Sequence, residues 1–251
     1  GMADGTGSPT SSDVVPPDER ADIFALGTGP SRPLDVVPPT AYLRAVSESE
    51  PDRLAVVHAD ERCTFRGLDS RAASVCALLS EHGVARGDRV LVSCRRGVAH
   101  VAVATAILHL GAVYVPCDPG NPPERAVAMA ADARPKVVLV DETISAALRA
   151  ALGEVVGEVL EVPNSQHGEA RLLEPTVAPV ALDPVYVLFT SGSTGRPKGV
   201  EVGLAAFLNH LEMVREHLDL RPGEAVAQTA PLGFDVHVWQ ALVPLVGATA
   251  V

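Results

Sequence analysis

Ten consecutive residues, Thr190 to Gly199, combine four hydroxyls (Thr190, Ser191, Ser193, Thr194), three glycines (Gly192, Gly195, Gly199) and Lys198. That mixture suits a polyanion. Glycines let backbone N–H groups approach a ligand, and hydroxyls and an ammonium add donors. Pro197 restrains the segment that presents Lys198. A flexible surface turn would have a similar composition, but the apolar run Val185–Phe189 before it reads as a buried strand, so a phosphate cradle at a strand end is expected. Two familiar phosphate loops do not fit. A Walker loop puts Lys directly after Gly and a hydroxyl directly after Lys, whereas Pro197 precedes Lys198 here and Gly199 follows it. A G-x-G-x-x-G fingerprint fails because Gly192 and Gly195 are three apart.

A second candidate is Asp235, an acid between Phe234 and Val236 at the start of an apolar stretch. By residue type alone it reads as a helix N-cap. Trp239 lies four residues on, along the same helical face. His237 points elsewhere on that helix and is not expected to be catalytic. His210 and His217, seven apart, read as a solvated or half-buried face.

Strands and helices alternate through the elements that must position these residues. Residues 1–39 are rich in Gly, Ser, Thr, Asp and Pro without a period and are expected to be a disordered extension. Thr40 opens a helix to Ser49. Leu54–His58 and Arg62–Phe65 flank a polar turn. Helices follow at about Leu68–His82, stopped by Gly83, and Val98–Leu110, stopped by Gly111. Further helices fall at about 123–133 and 144–152. Strands are expected at 90–94, 113–115, 136–140, weakly near Val159, and at 185–189. Beyond the hydroxyl-rich loop, Val200–Val202 completes a small hairpin, Leu204–His217 is a helix, Ala225–Gln228 is strand-like and Phe234–Val246 is helical. The pattern implies an α/β fold of mainly parallel sheets flanked by helices, in which ligands sit at strand carboxyl ends. The chain stops at Val251 in what reads as a new strand, so a truncated chain is expected, with residues 40–251 forming one partial subdomain.

Composition bounds the function. The chain has 251 residues, 47% hydrophobic and 4% aromatic, so its core rests on Ala, Val and Leu. A formal charge of −11 argues against nucleic acid or an anionic membrane as partner. Cys63, Cys76, Cys94 and Cys117 show no paired metal spacing; reduced thiols in a cytoplasmic protein are expected. No metal ligands are assigned.

The run Phe189–Gly199 resembles the signature loop of the adenylate-forming (AMP-binding) superfamily. Thr64-Phe65-Arg66-Gly67-Leu68, Leu110–Asp118 and Gly233–Trp239 are similar, in order, to segments of the amino-acid adenylation domains of nonribosomal peptide synthetases. The resemblance spans about Ala41 to Val251 and implies the N-terminal, larger subdomain of such an enzyme. It implies that ATP with Mg2+ activates an amino acid as an acyl-adenylate, which passes to a carrier protein's phosphopantetheine thiol. It implies phosphate contacts from Thr190, Ser191, Gly192, Ser193, Thr194, Gly195 and Lys198. Asp235 would bind the substrate amine, and Val236 and Trp239 would line its side-chain pocket, with a weak hint of serine. A small MbtH-type activator is a further implied partner. The alternatives are an acyl- or aryl-CoA ligase of the same superfamily and a non-catalytic nucleotide-binding fragment. Leu204, His237 and Gln240 stand where the family usually has His, Ser and Glu. The family's magnesium acid, ribose aspartate and catalytic lysine belong to later motifs, so no catalytic residue is assigned and the 251 residues alone are expected to be inactive.

Overall fold

A computed structural model of the chain describes residues 15–28, 33–163, 171–172, 178–191, 197–221, 223–246 and 249–251. It divides into a short unit to Asp35 and a larger one from Val36. Within residues 1–39, expected to lack regular structure, Pro17–Gly27 forms an eleven-residue helix, α1. Its signals were local rather than periodic: proline at the first turn followed by Asp18 and Glu19, which suits a helix N-terminus. Ile23, Phe24 and Leu26 on it are exposed.

The larger unit runs α2 (Ala41–Ser49), β1 (Leu54–His58), β2 (Glu61–Thr64), α3 (Phe65–Glu81), β3 (Arg89–Ser93), α4 (Val98–His109), β4 (Val113–Pro116), α5 (Pro123–Ala133), β5 (Val137–Val140), α6 (Ala146–Val156), β6 (Val159–Glu161), β7 (Pro184–Ser191), β8 (Pro197–Gly203), α7 (Leu204–His217), β9 (Ala225–Val226), α8 (Asp235–Leu242), a 3-10 turn (Val243–Val246) and β10 (Thr249–Ala250). Gly83 and Gly111 take positive φ, 70° and 67°, as helix-ending glycines do.

Two sheets form. One has the order β6-β5-β3-β4-β7-β8 and is parallel except for its edge strand β8; the other is β2-β1-β10-β9. Val90 and Val92 of β3 and Tyr186 and Leu188 of β7 face one core with α3, α4 and α7. Leu91, Val187 and Phe189 face a second with α5 and α6. The first core also takes in Ala55, Val56 and Ala250 of the smaller sheet. Helix α4 is therefore packed on both sides, which is why nearly all of its residues are buried. Even His100 and Thr105 on it are fully enclosed. All four cysteines are unpaired. Burial pushes the thiols of Cys63 and Cys76 up, to about 11 and about 12, so they behave as small hydrophobes. No helix among the described residues is long and apolar enough to cross a membrane.

Candidate nucleotide and substrate site

The site begins with β7. All five residues from Val185 to Phe189 are buried, and the strand then emerges at Thr190, which is exposed. Strand β8 returns antiparallel, pairing Thr190 with Lys198 and Ser191 with Pro197. The Thr190 hydroxyl donates to the Lys198 carbonyl at 3.5 Å. The expected loop is thus shorter than the motif, because Pro197, Lys198 and Gly199 belong to a seven-residue strand. Proline is tolerated there because β8 is the sheet edge and Pro197 its first residue. Gly192, Ser193, Thr194, Gly195 and Arg196 lie outside the described residues. Lys198 is exposed, and among the described residues it has no ion-pair partner.

Gly199 has a separate reason. A Cβ there would lie 3.0 Å from Val187 Cγ1 and 3.3 Å from Phe189 Cζ. A side chain at this position would press on the β7 side chains, independently of any ligand.

The substrate side is α8. Its N-cap is Phe234, with no side-chain cap, so Asp235 is not the cap that residue type alone suggested. Asp235 is the first helical residue, and its Oδ1 accepts from the Val236 N–H at 2.9 Å. Asp235 and Val236 are exposed and Trp239 is half-buried, whereas His237, Val238, Gln240, Ala241 and Leu242 are buried. The three candidate substrate residues therefore share the open side of the helix. Burial, and then the Asp235 charge, push the phenol of Tyr186 on β7 above its usual range. Thr190 is four residues further along that strand, roughly 13 Å at the usual strand rise.

Residue-type reasoning missed the supports of α8. Gln240 Oε1 accepts from the Thr229 and Ala230 N–H groups, both at 3.0 Å, and its Nε2 donates to Thr229 Oγ1 at 3.3 Å. A glutamate could accept as well but could not donate. Arg96 Nη1 donates to the Gln228 and Ala230 carbonyls at 3.1 Å each. The segment leading into α8 is thus held from two sides. Leu204, where the family usually has His, is a buried core residue opening α7.

A model of the AMP-binding enzyme family matches residues 43–251. The chain belongs to the AMP-binding enzyme family. Enterobactin synthase component F of Escherichia coli (strain K12) is 32% identical over 243 residues, covering 93% of this chain and 18% of that protein. The chain therefore spans under a fifth of that relative's length. Among solved structures, the nonribosomal peptide synthetase FmoA3 in its AMPPNP-bound form has a TM-score of 0.79 and 27% identity, over 94% of this chain and 25% of that one. Its form bound to alpha-methyl-L-serine-AMP gives 0.79 and 29%, over 93% and 26%. Within the AMP-binding family, the fold is that of the N-terminal subdomain of nonribosomal peptide synthetase adenylation domains.

Proposed function

We propose that this chain carries the ATP- and amino-acid-binding part of an enzyme that activates an amino acid as an acyl-adenylate and hands it to a carrier protein. The observation that carries this reading is a pair of exposed sites, one where β7 ends and one where α8 begins. Asp235 is exposed at the first turn of α8, and β7 emerges at the exposed Thr190–Lys198 pair. An exposed carboxylate with an aromatic one turn away suits an α-ammonium and a side chain. An exposed ammonium beside a hydroxyl suits phosphate.

In the reaction so read, the substrate carboxylate attacks the α-phosphorus of ATP and pyrophosphate leaves. Lys198 and the Thr190 hydroxyl hold the β- and γ-phosphate charge; Ser191, Gly192, Ser193, Thr194 and Gly195 are the further donors. Asp235 holds the amine, and Val236 and Trp239 bound the side chain. Catalysis by such a site is chiefly positioning and charge stabilisation. Mg2+ bound with ATP would neutralise phosphate charge, and no residue of this chain is assigned to it. The acyl group then passes to the phosphopantetheine thiol of a carrier domain, with AMP leaving. A small MbtH-type protein is a further partner in this reading. FmoA3, bound to alpha-methyl-L-serine-AMP, supports a small hydroxylated amino acid as the first substrate to try.

ATP–pyrophosphate exchange by the full-length protein, with a panel of amino acids, tests this. Exchange should require one amino acid and fall at least about tenfold in Lys198→Ala and in Asp235→Ala. Exchange supported by a carboxylic acid without an α-amine and indifferent to Asp235→Ala would replace the amino acid by an acyl or aryl acid. No exchange with any acid would end the reading.

A further inference from the structure

His237 sits between Asp235 and Trp239 yet faces the other way, with 0% of its surface exposed. Its Nε2 lies 3.1 Å from Nε2 of His100 on α4. That same His100 nitrogen meets the Tyr114 hydroxyl of β4 at 2.7 Å. His100 Nδ1 faces Cys94, at 3.3 Å from its thiol and 3.4 Å from its carbonyl. The two imidazoles meet edge to face, 5.0 Å between centroids. Four buried polar side chains thus join α8 to α4, β4 and the carboxyl end of β3.

The contact between two Nε2 atoms requires one to carry a proton and the other to be bare, which excludes a doubly charged pair and is met by two neutral rings. Burial keeps them so, holding His100 down at about 4 and His237 at about 3. The arrangement is not optimised for stability. His237 Nδ1 is buried without a partner, which costs about 1–3 kcal/mol that an apolar ring would avoid.

What the cluster supplies is direction. Helix α8 has eight residues and no side-chain cap, too few to hold a helix by itself. Val238, Ala241 and Leu242 turn its apolar side inward but set its rotation only coarsely, because apolar contact is non-directional. Among the described residues, Gln240 bonds to Thr229 and Ala230, the segment leading into its own helix. Among the described residues, the side-chain hydrogen bond from α8 into the core between the sheets is that of His237.

We propose that His237 is a positioning residue. By tying the first turn of α8 to His100 and Tyr114, it sets where Asp235 and Trp239 stand relative to β7. This rests on the reading of Asp235 as the amine-binding group.

The test is exchange kinetics on the full-length protein with His237→Phe, which keeps a buried ring and removes its nitrogens. Tyr114→Phe and the double variant accompany it, and His237→Gln restores a polar atom near the Nε2 position. The amino-acid KM should rise at least about tenfold in His237→Phe, with kcat and the ATP KM within about threefold. His237→Gln should recover most of that rise, and the double variant should change less than the product of the single effects. A folded His237→Phe enzyme with amino-acid KM within about twofold of wild type overturns the proposal, as does an equal rise in both KM values. If His237→Phe does not fold, the same criteria apply to Tyr114→Phe. Wild-type protein silent with every amino acid refutes the functional reading; active wild type with unmoved variants refutes only the role of His237.

Discussion

Lys198 and Gly199 are adjacent in one motif, yet the structure gives them unrelated causes. Lys198 is exposed and, among the described residues, has no ion-pair partner, so no described contact depends on its charge. Lys198→Ala should keep thermal stability within about 0.5 kcal/mol of wild type while exchange falls. Gly199 is the reverse case. An added methyl meets Val187 Cγ1 at 3.0 Å, on a buried branched side chain that is stiff at χ1. Gly199→Ala should therefore destabilise by about 1–3 kcal/mol, or roughly 2–4 °C of melting temperature per kcal/mol for a chain of this size. A Gly199→Ala protein melting with wild type would show that the hairpin relaxes and that the glycine serves the ligand after all.

At the scale of elements, most of the fold was legible because its signals are local. Apolar runs bounded by turn residues mark β3, β4, β5 and β7, and Thr40 flanks helix α2 as its residue type suggests. Where boundaries moved, a local signal was outweighed. Helix α3 starts at Phe65 rather than near Leu68, because Thr64 caps it, its Oγ1 accepting from the Gly67 N–H at 3.1 Å. An apolar period cannot show that, since capping precedes the first buried turn. Thr64→Ala should cost about 1 kcal/mol, read by urea unfolding; no loss would mean that packing alone places the helix start. Strand β8 reaches back to Pro197 because an edge strand tolerates proline. The split into two sheets was not legible at all. Val56 pairs with Ala250, and no spacing rule joins strands so far apart in the chain.

The same distance hid the one feature that belongs to the whole molecule. His100 and His237 are 137 residues apart, and each alone reads as an unremarkable histidine in an apolar stretch. Together they couple the stability of the large unit to pH, and the sign can be worked out. Burial holds both folded-state values below the ordinary 6.5, at about 4 and about 3. Unfolded imidazoles take up protons as pH falls through 6.5, whereas the folded pair stays neutral. Their contribution is thus fully present above pH 6.5 and is lost as pH falls towards 4, by about 1.4 kcal/mol per pH unit for each ring. Asp69 works the other way nearer its own range, since burial raises its carboxyl, so the clean window lies between pH 6.5 and 5. Urea unfolding of the chain across that window should show stability falling with a slope near two protons, and near one in His237→Gln. Equal stability at both ends, or the same slope in the variant, would mean that the rings are already protonated or hydrated in the folded chain and that the cluster does not hold α8 as a neutral pair.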